Sequence, residues 1–226
     1  ARQQLQDTGD FKEALRSFPR FLKYERWMLT HLAKHPRDFH GAFRRLPLKL
    51  RRLFVQACQS FLFNRFLSQR IRKGLPLNTA QLGDYVIELD SHRLTTDHIK
   101  KVTAQSLQSV QKAINGNMMC IAIPLIGFEQ EPSDGVQGEI ERETLEAENL
   151  NSEEFKIPCM PEISAPGLLR TIQAPIINHS KEELPEDSTN PFTRALKLGF
   201  TLHRGSYATI LLREYMKPAD LIEAGF

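Results

Sequence analysis

The chain is short of the features that most cheaply announce a chemistry. No G-x-x-x-x-G-K-[ST], G-x-G-x-x-G, G-x-S-x-G or H-E-x-x-H occurs in its 226 residues. Nucleotide hydrolysis, dinucleotide binding, the usual serine hydrolase and the zincin reading therefore lose their sequence support. Cysteine is scarce: Cys58, Cys120 and Cys159 stand far apart without C-x-x-C spacing. They read as free thiols in a reducing cytoplasm, not as a metal site. His31 and His35 lie four apart with no third ligand nearby in sequence, so they read as solvated or core histidines. No apolar run reaches the length of a membrane span, and Ala1 does not open a signal peptide. No internal repeat is visible.

What is present is the composition of a soluble globular protein, 41% hydrophobic and 25% charged, long enough for one large domain or two small ones. The net charge of +3 conceals an asymmetry. Residues 1–73 hold 17 Lys and Arg against 5 Asp and Glu, whereas residues 74–226 hold 13 against 22. A basic third suits a polyanion, because neutralising phosphates releases counterions. It equally suits a solvated helical surface paired with the acidic remainder. Arg44, Arg45, Arg51 and Arg52 are closely clustered, and with Arg65 and Arg204 they form the candidate nucleic-acid-binding set.

Taken in order, residues 1–16 predict a helix already under way at Ala1, so the chain is expected to be a fragment. Phe21–His35 predicts an amphipathic helix with Phe21, Tyr24, Met28 and Leu32 on one stripe, ended by Pro36. Asp38 fits the N-cap of a short helix through Leu46. Leu48–Arg72 is the longest element, with a stripe of Leu50, Leu53, Phe54, Ala57, Phe61, Asn64, Leu67 and Ile71. Asn64 is the polar member of that stripe and is expected to be structural, its amide bonded to a neighbouring backbone segment. After Gly74-Leu75-Pro76 the pattern alternates: a strand at YVIEL, a helix from Thr95 to about Ile114, and an apolar strand at Met118–Ile126. A loop over Glu129–Gly138, an acidic helix over Glu139–Leu150 and an irregular connector over Asn151–Gly167 follow. A strand at Thr171–Ile177 and a polar loop at Ser180–Pro191 lead to the last pattern.

That pattern spans Arg194–Lys217. Leu196, Leu198, Phe200 and Leu202 alternate as in a half-buried strand, and Tyr207, Ile210, Leu211 and Tyr215 recur at helical spacing. Gly205 permits a sharp reversal between them and Ser206 is placed to cap the helix. Such a terminus presents backbone donors that suit a phosphate or a developing anion. An ordinary strand–turn–helix core element has the same appearance.

GSYATILLRE at 205–214 resembles the C-terminal motif of the tRNA pseudouridine synthase D (TruD) family. FVQACQSFLFNRFLSQRI at 54–71 resembles that family's helix, with its S-x-L-F-N core at Ser60, Leu62, Phe63 and Asn64. GDYVIELD and the 95–126 unit fall in the order expected of the family's inserted domain, and MPEISAPGLLR at 160–170 is similar to its returning loop. One departure is visible: His203-Arg204 stands where the family often has Pro after the last leucine of the strand. The resemblance implies an α+β chain: a helical part of the catalytic domain over 1–37, an inserted α/β domain over 38–170, and the C-terminal strand–helix of a pseudouridine-synthase-type mixed sheet over 171–226. It implies isomerisation of a tRNA uridine, without cofactor, metal or membrane. The alternative is a noncatalytic RNA-binding or protein-interaction module of the same fold.

The family's nucleophile is an Asp in G-x-K-D, and its base-stacking aromatic lies in N-x-F-G. Neither motif occurs here. By resemblance the chain is the C-terminal part of such an enzyme, with Gly205, Ser206, Tyr207 and Arg213 supporting an active site. Arg213 is the candidate cation for the absent carboxylate, or else the partner of a structural acid.

Overall fold

The computed structural model describes residues 1–184, 196–203 and 206–225, which fall into two compact units. The first comprises residues 1–76, 81–84 and 123–170; the second holds the remaining described residues.

In the first unit the expected opening helix is two helices, α1 (Arg2–Thr8) and α2 (Phe11–Ser17). Gly9 takes the left-handed conformation that ends α1, and the Asp10 carboxylate caps α2 by accepting from the Lys12 and Glu13 amides. Helix α3 (Lys23–Leu32) is shorter than its predicted span, and of its predicted stripe Leu32 is buried while Phe21 is 79% exposed; Leu29, off that stripe, is buried as well. Leu29 packs with Ala14 and Phe18. Arg26 locks this arrangement by donating to the Leu15 and Phe18 carbonyls at the end of α2, at 2.7 and 2.8 Å. Helix α4 (Phe39–Arg44) is capped by Asp38 as predicted but ends two residues before Leu46.

Helix α5 runs Leu48–Arg72, the predicted span, but buries a different face. Gln59, Leu62, Phe63, Phe66 and Arg70 are inside, whereas Leu53, Phe54, Phe61, Asn64 and Ile71 are exposed. The predicted stripe is off by one position, roughly 100° around the helix. The sequence is apolar on both sides here, so periodicity does not select the inner one. The exposed Asn64 side chain has no hydrogen-bond partner among the described residues. Gln59 fills the role expected of Asn64, its amide donating to the Ile126 carbonyl at 2.7 Å. Helix α5 packs on α7, whose residues Gly135–Ala147 begin four positions before the predicted helix.

In the second unit, β1 (Tyr85–Leu89) is antiparallel to β2 (Thr95–Lys101), with Tyr85 opposite Lys101 and Leu89 opposite Thr95. The helix predicted from Thr95 is therefore wrong over its first twelve residues, seven of which are strand. The Asp90 carboxylate accepts from the His92 and Leu94 amides, closing a turn that returns the β-branched Thr95, Thr96 and Ile99 as a strand. The helical part is α6 (Leu107–Asn115). Strand β3 (Met119–Leu125) also pairs antiparallel with β1, and its inner five residues are buried as its continuous apolar run implies. Strand β4 comprises Leu168–Thr171.

The strand predicted over Thr171–Ile177 instead divides between β4 and β5 (Ile176–Glu183), so Ser180–Glu183 belong to a strand and not to a loop. The rest of that predicted loop lies largely outside the described residues. Strand β6 (Leu196–Leu202), as predicted, pairs antiparallel with β5, Ile176 opposite Leu202 and Glu183 opposite Leu196. Helix α8 (Ala208–Met216) follows.

Candidate nucleic-acid interface

The clustered arginines have more intramolecular partners than a free phosphate-binding face would leave them. Arg51, its side chain 12% exposed, donates to the Leu46 carbonyl at 3.2 Å and to the Glu162 carboxylate. Arg52 Nε donates to the Glu162 carbonyl at 2.9 Å, and Arg44 donates to the Cys159 carbonyl. These three therefore clamp the start of α5 and the end of α4 to residues 159–162. The Arg51 guanidinium beside Glu162 holds its carboxyl below the ordinary carboxylate range. Arg65 pairs with Glu148 at 3.3 Å and lies over the Phe61 ring. Arg45 differs: its Nε points at His31 Nδ1, 3.4 Å away, and no carboxylate among the described residues lies within ion-pair distance. Arg204 lies outside the described residues.

Sequence reasoning missed the buried charges of this unit. Arg70 and Asp84 are both fully buried and joined by two bonds of 2.7 Å, a fork matched to a carboxylate. Gln137 accepts from Arg70 at 3.1 Å and donates to Glu141 at 2.9 Å, and the Ser133 amide donates to the other Glu141 oxygen at 2.8 Å. Burial pushes the Glu141 carboxyl above its ordinary value. Nothing in the local pattern of Arg70 distinguishes it from Arg65 or Arg72.

At the C-terminal element, Gly205 lies outside the described residues. Ser206 is not the cap: Tyr207 occupies the N-cap position of α8 without a side-chain bond, and the Ser206 amide donates to the His203 carbonyl at 3.0 Å. Tyr207 is 66% exposed, and Arg213 pairs with the adjacent Glu214 at 3.1 Å. Among the described residues, no helix is long and apolar enough to cross a membrane.

Helices and short sheets together define the class as a mixed α+β protein. The sequence model of the family described as tRNA pseudouridine synthase D (TruD) matches residues 1–215, and the chain belongs to that family. It is 39% identical over 216 residues to a tRNA pseudouridine synthase D by name from Methanococcoides burtonii, covering 95% of this chain and 49% of the relative. A namesake from Methanopyrus kandleri is 43% identical over 208 residues, 92% of this chain and 43% of its own length. A crystal structure under the same name from Methanosarcina mazei superposes with a TM-score of 0.87 at 38% identity, covering 96% of this chain and 49% of that one. The chain spans about half the length of the relatives it matches.

Proposed function

We propose that this chain is the C-terminal part of an enzyme that converts a uridine of tRNA to pseudouridine, and that it supplies tRNA contacts and active-site support but not the nucleophile. The observation that carries the reading is the family match over 95% of this chain against only 49% of the relative, together with the absence of any G-x-K-D from the 226 residues. In the whole enzyme the target uridine leaves its stack, an aspartate acts at its glycosidic bond, and the uracil rejoins the ribose through carbon 5. Extrusion has an unstacking cost that contacts to neighbouring phosphates and an aromatic surface offset. A desolvated carboxylate stays ionised more readily beside a cation, and Arg213, exchanging its bond to Glu214, is the candidate on this chain. Ser206 and Tyr207 lead into the helix that carries that residue.

The test is release of tritium from carbon 5 of uridine-labelled tRNA. The 226-residue chain is expected to release none, and a full-length relative carrying G-x-K-D to release it stoichiometrically. Turnover by the isolated chain would overturn this reading. Activity in the full-length protein with its G-x-K-D aspartate changed to Asn would overturn the assignment of the nucleophile.

A further inference from the structure

Helix α3 carries Trp27, Thr30 and His31 at spacings of three and four on one face, and Lys34 lies in the turn that follows the helix. With His35 and Arg45 they line an open cleft of about 510 Å³. No carboxylate lines it. Trp27 is 46% exposed, and the Tyr24 ring braces it edge-on with centroids 5.3 Å apart. Lys34 and Arg45 are exposed and, among the described residues, have no carboxylate within ion-pair distance. Asp38, which adjoins the cleft, is already engaged: it accepts from the Gly41 amide at 2.8 Å and from His31 Nε2 at 2.8 Å. The Arg45 Nε–H pointing at His31 Nδ1 makes that nitrogen the acceptor, which leaves the Nε2–H to donate to Asp38. His31 therefore serves to orient Arg45 across the cleft.

We propose that this cleft is a single-stranded RNA subsite, in which a base stacks on Trp27 while Lys34 and Arg45 hold the neighbouring phosphates. The inference rests on the reading that the protein handles tRNA, and it names a surface which that reading does not. An exposed aromatic face beside unpaired cations is the combination that binds single strands with little base preference. Base-edge readout has few available groups, because the Thr30 hydroxyl donates to the Arg26 carbonyl at 2.7 Å and His31 is held by Asp38. Two separate cations around one open ring suit a base and its flanking phosphates better than a small closed anion.

Trp27 is the chain's single tryptophan, so its emission reports on this cleft alone. The 226-residue chain is titrated with single-stranded octauridylate, following Trp27 emission and, with a fluorescein-labelled copy, anisotropy. Saturable quenching that tracks the anisotropy rise is expected. Trp27→Ala should weaken the anisotropy-detected affinity about tenfold or more. Lys34→Ala combined with Arg45→Ala should flatten the slope of log affinity against log salt by about 1.4, two phosphate contacts on a single strand. All three substituted side chains are exposed, so the variants should fold. An anisotropy rise without quenching would sink this inference and leave the tRNA reading standing. An absence of both would count against each. Equal quenching by inorganic phosphate or uridine monophosphate at the same concentration would make the cleft a small-anion site and overturn the RNA assignment.

Discussion

At the scale of single residues, the largest energetic differences lie where burial and charge meet. Gln59 and Asn64 make the sharpest pair, both amides on α5, one bonded inside and one exposed. Gln59→Ala strands the buried Ile126 carbonyl and should cost about 1–3 kcal/mol. Asn64→Ala should fall within about 0.5 kcal/mol of the parent in urea melts of this chain. A large loss at Asn64 would mean that the assigned inner face of α5 is wrong. Glu141 gives a pH dependence with a definite sign. Its folded carboxyl titrates above the ordinary value of 4.5 because burial disfavours the charge, so its contribution is fully present below that value. It is lost as pH rises through the folded value. Relative to Glu141→Gln, the parent should therefore lose stability from acid toward neutral pH, and a pH-independent difference between the two melts would refute this. Glu162 works in the opposite direction: Arg51 lowers its titration, so its contribution weakens as pH falls below the ordinary carboxylate range.

At the scale of elements, close backbone approach decides where α7 can start. Gly83 has φ of +88°, and its carbonyl accepts from the Asp134 amide at 3.0 Å. A Cβ at Gly83 would lie 2.3 Å from the Asp134 carbonyl carbon, so backbone and not a yielding side chain would have to move. Gly83→Ala should cost more than about 2 kcal/mol, the left-handed penalty plus the clash, in denaturant melts. A variant as stable as the parent would show that the loop before α7 relocates freely. The same loop begins the Ser133–Glu141 network, so Gly83→Ala should also alter the pH profile that Glu141 produces. Elements with a strong local pattern were legible: β6 stands where alternation put it, β1 and β3 where short apolar runs put them, and α5 over the span of its helical spacing. Strand β2 was not. Its TTDHIKK run has too few apolar residues to show a period of two, and only its pairing with β1 and the Asp90 turn make it extended.

At the scale of the whole molecule, the basic first third is partly spent internally. With Arg44, Arg51 and Arg52 tied to residues 159–162, removing them together should lower stability before it reports on RNA. A cleaner probe is Arg213, whose role belongs to the full-length enzyme. If it stabilises the nucleophilic carboxylate there, Arg213→Ala should lower the single-turnover rate about a hundredfold or more, with tRNA affinity nearly unchanged. A fall in affinity at unchanged rate would make Arg213 an RNA clamp, and no change in either would leave it a surface partner of Glu214.

The amino-acid sequence by itself determined the α+β character, the charge asymmetry, the longest helix and, through the 54–71 and 205–214 motifs, the family. These are local properties, carried by spacing within a few turns or one strand. Only the tertiary structure decided which side of α5 is the core, that Arg70 is buried while Arg45 stays open, and that the arginine cluster is a clamp. The physical reason is distance along the chain. The Gln59 amide is chosen by a carbonyl 67 residues away and Arg52 by one 110 residues away. A helix apolar on both sides and lined with arginines carries no local mark of where those partners will be.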